Sequence, residues 1–138
     1  MWQRITQEPS FYLSPSGQFI LDSMAFLSSF SSESGKFILS ILNSKLVKYW
    51  VSKNVHQYGN TGYRLSNQYV EQIPIPQIPA SSQAPFIAIV DEILAITNKL
   101  DYNPDFPPLR QKELEAKIDE MVCDLYQLDD EEKKLILG

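Results

Sequence analysis

Cysteine and histidine are nearly absent from this chain. Cys123 and His56 are the single examples of each in 138 residues. One thiol cannot close an internal disulfide, and no group of Cys, His and carboxylates has metal-site spacing. There is no Gly-x-Ser-x-Gly elbow to raise a nucleophile and no Gly-rich cofactor turn. These absences argue against an enzyme built from this chain alone. Long apolar runs are missing too: none reaches the ~18 residues of a membrane helix. Met1-Trp2-Gln3-Arg4-Ile5 lacks the apolar core of a signal peptide. A reducing cytoplasm, with no membrane partner, is the expected setting.

What is present is a core. Apolar residues make up 43% of the chain, which argues against disorder and suits one domain, or one domain with a helical appendage. The net charge of −5 hides a division. Residues 1–80 hold six Lys/Arg against four acids, a net +2, whereas residues 81–138 hold six against thirteen, a net −7. The first part can face phosphates, and the second would repel them. We therefore read 1–80 as one unit and 81–138 as a helical segment packing on it or on a partner.

The hydrophobic period changes along the chain. Trp2–Ile5 and Ser23–Leu27 read as strands. Ser10–Leu13 and Gln18–Leu21 flank Ser14-Pro15-Ser16-Gly17 as a hairpin. Ser28–Gly35 reads as a Ser-rich loop. From Lys36 to Lys53 the spacing predicts one amphipathic helix, with Ile38, Leu42, Leu46, Tyr49 and Trp50 inward and Ser40, Ser44, Lys48 and Ser52 outward. Tyr63–Leu65 and Tyr69–Ile73 read as strands, and the prolines of 74–85 as an extended linker. Pro85 suits a first helical turn, with Phe86, Val90, Ile93, Thr97 and Leu100 in register behind it. A second helix carries Leu114, Ile118, Met121, Val122 and Leu125. Asp129 and Glu132 form a capping-box pattern for a last helix, ended by Gly138. The expected fold class is α+β: a small twisted, mainly antiparallel sheet with one packed amphipathic helix, followed by a C-terminal helical segment.

Chemistry points to one polar stretch. Asn54–Gly62, with Lys53 before it and Tyr63-Arg64 after, carries His56, Gln57, Tyr58 and Asn60 and two glycines. Arg can bridge guanine O6 and N7, Gln and Asn can bridge adenine N6 and N7, and Lys can grip phosphate. With Arg4 and Lys45, these residues are the DNA-binding candidates. Their plain reading is an ordinary surface loop, with Tyr63 in the core, Arg64 an exposed strand residue, and Lys45 and Lys48 solvating a helix. Asn103-Pro104-Asp105-Phe106 differs from the Asn-Pro-Pro-aromatic motif of amino-methyltransferases by Asp105 at the second proline, and reads as an interhelical turn with Asp105 near an N-cap.

Three segments in order carry a resemblance: "FILSILNSKLVKYW" (37–50), "YRLSNQYVEQIPIP" (63–76) and "IDEMVCDLYQLDDEEKKLILG" (118–138), behind an opening Trp2-Gln3-Arg4-Ile5. Together they resemble the TaqI-like C-terminal specificity domain of adenine-specific DNA methyltransferases and type IIG restriction-modification enzymes. The resemblance implies a bacterial target-recognition domain that binds double-stranded DNA. The catalytic domain would lie outside this chain and serve as its partner. Cofactors would belong to that parent: S-adenosylmethionine for adenine-N6 methylation, with Mg a further candidate. Two alternatives stay open. One is a fragment of a type I specificity subunit. The other is a protein-interaction module using the acidic helices, a homodimer through them included.

Overall fold

The computed structural model describes residues 2–3, 5–6, 11, 24–25, 32–54, 63–64 and 71–138. Five helices dominate the described residues: α1 (Ser32–Leu42), α2 (Lys45–Asn54), α3 (Ala80–Thr97), α4 (Leu109–Leu125) and α5 (Asp130–Leu137). Strand pairing among them is confined to two antiparallel contacts of two residues per strand. β1 (Trp2–Gln3) pairs β3 (Met24–Ala25), and β2 (Ile5–Thr6) pairs β4 (Tyr63–Arg64). The expected α+β fold with a packed sheet is thus overturned: the described architecture is helical. The proposed hairpin over 10–21 lies outside the described residues, apart from Phe11. The strand expected at Tyr69–Ile73 is a turn where it is described, at 71–73.

The predicted single helix over 36–53 is two helices, and α1 begins at Ser32 inside the expected loop. Asn43 and Ser44 make the break. Ser44 Oγ donates to the Ile41 carbonyl at 2.6 Å and accepts the Val47 N–H at 3.4 Å, so it caps α2. The inward face differs as well. Ser40 and Ser44 are buried beside Phe37, Ile41, Val47 and Val51, while Ile38, Leu46 and Trp50 are only partly buried. A serine can enter a core when its hydroxyl bonds a carbonyl one turn back, and Ser40 does so to Phe37 at 2.6 Å.

α1 packs on α3. Phe37 meets Phe86 edge-on, with ring centroids 5.3 Å apart at 70°. Lys36 Nζ reaches Asp91 Oδ1 at 2.6 Å across the same contact. α3 starts at Ala80, behind Pro79, rather than at Pro85. Pro85 lies within it and forgoes one ladder bond. α3 is long and apolar enough to cross a membrane by length and composition. Its Phe86, Ile89 and Val90 are nonetheless buried in the protein core.

The proline stretch is tied at both ends. Ile73 is buried, Gln83 Nε2 donates to the Ile78 carbonyl at 3.0 Å, and the Tyr126 hydroxyl donates to the Pro74 carbonyl. Asn103 Oδ1 accepts the Asp105 N–H at 3.0 Å in the turn before α4. The N-cap of α4 is Pro108, not Asp105. α4 buries Leu114, Ile118, Val122 and Cys123. It closes with Gln127 at φ 59°, as the Leu128 N–H returns to the Cys123 carbonyl at 3.1 Å. That left-handed position usually takes glycine. Asp129 and Glu132 form the reciprocal capping box that opens α5.

Candidate nucleic-acid interface

α2 is the basic element of the described chain. Its sequence, KLVKYWVSKN, contains three lysines and no acid. Val47 and Val51 face the core, so the 3.6-residue period places Lys45, Tyr49 and Lys53 along the opposite side as one stripe, with Tyr49 half-buried. Lys45 and Lys53 are exposed. Lys53 Nζ sits 5.6 Å from the Tyr49 ring centroid, a cation–π contact worth about 0.5–1 kcal/mol at an exposed site. A row of ammonium groups with an aromatic among them suits a polyanion backbone.

The N-terminal turn of α2 is unusually well held. The Lys45 N–H donates to Asp119 Oδ1 of α4 at 2.8 Å. Just before it, Asn43 clamps Phe11: its Oδ1 accepts the Phe11 N–H at 2.8 Å and its Nδ2 donates to the Phe11 carbonyl at 3.0 Å. One side-chain amide therefore satisfies both backbone groups of a buried residue, as a neighbouring strand would. Asn43, Ser44 and Lys45 each hold a different part of the molecule.

Asp119 keeps only 9% of its surface exposed. Burial pushes its carboxyl above the ordinary value of 3.8. The Lys45 N–H and the Lys45 and Lys48 charges pull the other way, and Glu115 adds to the rise. A carboxyl raised in the folded state binds its proton more tightly there than in the unfolded chain. Its contribution to stability is full below 3.8 and is lost as pH rises through the folded value. Asp119→Asn abolishes this titration. In urea unfolding, the stability of the unsubstituted chain relative to Asp119→Asn is expected to fall as pH rises through that window. A pH-independent difference would show that Asp119 is not raised.

Of the sequence candidates, Lys45 and Lys53 come together on the α2 stripe. Tyr63 and Arg64 form β4, opposite Thr6 and Ile5. Arg4, His56, Gln57, Tyr58 and Asn60 lie outside the described residues. Sequence reasoning passed over Tyr49 as a stripe member, Asn43 as a clamp and Asp119 as an anchor. Only the acid-free run of α2 lysines around it could have signalled the first. Among the described residues, no group of three His, Cys, Asp or Glu side chains could hold a metal ion. Leu100, Phe106 and Leu109 stand exposed around the α3–α4 turn.

The family model for the TaqI-like C-terminal specificity domain matches residues 1–75. No curated protein and no solved structure matches the chain significantly. The match takes in α1, the Asn43–Ser44 break, α2 and β4, and stops before α3; the segment 118–138 lies beyond it. Since it covers more than half of the chain, this protein belongs to the TaqI-like C-terminal specificity domain family, whose role is DNA sequence recognition in restriction-modification enzymes.

Proposed function

We propose that this chain reads a DNA target for an adenine-N6 methyltransferase of the type IIG kind, and leaves the chemistry to a methyltransferase domain. The observation that carries the reading is the α2 stripe, an acid-free basic helix inside the family-matched residues. Lys45 and Lys53 would grip phosphates, which sets register but carries no sequence information. Arg64, with Tyr63 and the polar residues His56, Gln57, Tyr58 and Asn60, would supply base-edge contacts in the major groove. Arg4 would add a further cation. S-adenosylmethionine would bind in the methyltransferase domain rather than on this chain.

Arg64→Ala tests the division of labour. It is expected to weaken binding to the preferred duplex by about 1–3 kcal/mol and to relax preference at one position. Selection from a randomised duplex pool reads both effects, and unchanged preference removes Arg64 from the site. A protein-contact role for the C-terminal helices is favoured by the exposed Leu100, Phe106 and Leu109. Sedimentation of the chain alone and with a methyltransferase domain separates self-association from docking.

A further inference from the structure

The family match ends at residue 75, yet the basic helix inside it is held from outside. A helix leaves its first N–H groups without partners in its own ladder. In α2 the Val47 N–H goes to Ser44 Oγ at a long 3.4 Å, while the Lys45 N–H goes to Asp119 at 2.8 Å, 74 residues away. A buried carboxylate is costly unless it is hydrogen-bonded, and a helix N-terminus is a favourable place for it. Asp119 is therefore the point at which α4 grips the first turn of α2. Val47 and Val51 seat the helix, but smooth apolar contacts alone resist rotation about its axis less than a directed hydrogen bond does.

We propose that Asp119 is a positioning residue for DNA recognition: by fixing the first turn of α2 against α4, it sets the direction in which Lys45, Tyr49 and Lys53 meet the duplex. The proposal rests on the DNA-reading function above and extends it to a helix beyond the matched residues. It makes the C-terminal segment part of the reading unit.

The test uses the full chain, a mixed-sequence DNA duplex and fluorescence anisotropy, at a temperature where circular dichroism shows each variant folded. Asp119→Ala removes the acceptor and is expected to bind about tenfold more weakly. Asp119→Asn keeps an oxygen acceptor and is expected to bind within about threefold of the unsubstituted chain. Folded Ala and Asn variants that bind alike would overturn the proposal, because the acceptor for the Lys45 N–H would then make no difference. Should Asp119→Ala not fold, Lys45→Pro and Lys45→Ala decide. Both lose the ammonium group, but only proline loses the N–H that Asp119 accepts, and proline fits a first helical position. The proline variant is expected to bind about tenfold more weakly than the alanine variant; equal affinity overturns the proposal. No binding by the unsubstituted chain would overturn the DNA-reading function itself, and Asp119's role with it.

Discussion

Phe37→Ala is expected to lower the unfolding free energy by about 3–5 kcal/mol, the usual cost of emptying a phenylalanine site in a core. Phe37 is 2% exposed and packs edge-on against Phe86, itself buried. The substitution removes apolar burial, an aromatic pair and the filler between α1 and α3. The collapse of that space is limited, because Ile41 and Val90 are buried in the same cluster. The effect should not be confined to one end of the chain. α1 lies in the family-matched residues and α3 beyond them, so both should unfold in one transition. Far-UV circular dichroism reports all the helices, and tryptophan fluorescence includes Trp50 of α2. Their urea curves should coincide in the unsubstituted chain and shift together in the variant. Separate midpoints would mean that 81–138 unfolds independently of the α1–α2 unit.

Asn43→Ala is expected to cost about 2–4 kcal/mol, more than its exposed position suggests. The Asn43 side chain makes two hydrogen bonds to the backbone of Phe11, 32 residues away, and alanine can make neither. Asn43→Asp keeps an acceptor for the Phe11 N–H and loses the donor to its carbonyl, so it should recover part of the loss. Urea unfolding of the three proteins measures the order directly. An alanine variant as stable as the original would show that the clamp is not formed in solution. Phe11 follows β2 in the chain, and Ile5 of β2 pairs with Arg64 of β4.

The parts of this fold that are legible in the sequence are those decided by local contacts. Leu114, Ile118 and Val122 repeat at helical spacing because one face of α4 is buried, and Asp129 with Glu132 caps α5 within a single turn. What escaped depends on partners far away in sequence. Asn43 reads as an ordinary helix residue until Phe11 is placed beside it. Ser40 and Ser44 read as solvent-facing from their spacing and polarity, yet each returns its hydrogen bond to an α1 carbonyl three residues back and enters the core. Asp119 reads as one acid among many, since its partner is the Lys45 N–H in another helix. The expected sheet failed for a related reason. Alternating apolar residues mark strand propensity, which tertiary context overrides, and the described residues are mainly helical.

The candidate site divides along the same line. Lys45 and Lys53 could be named from charge alone, because a lysine stripe needs no tertiary partner to be visible. The spacing over one continuous 36–53 helix puts Tyr49 on the inward face; with the break at Asn43–Ser44, Val47 and Val51 take the core face and Tyr49 is half-buried.

The central claim is that this chain selects a DNA sequence. The direct measurement is selection by the full chain from a pool of randomised duplexes at low salt, followed by sequencing of the bound fraction. The account predicts enrichment of one short sequence, retained in excess non-specific competitor DNA. A bound fraction no different in sequence from the starting pool would contradict it.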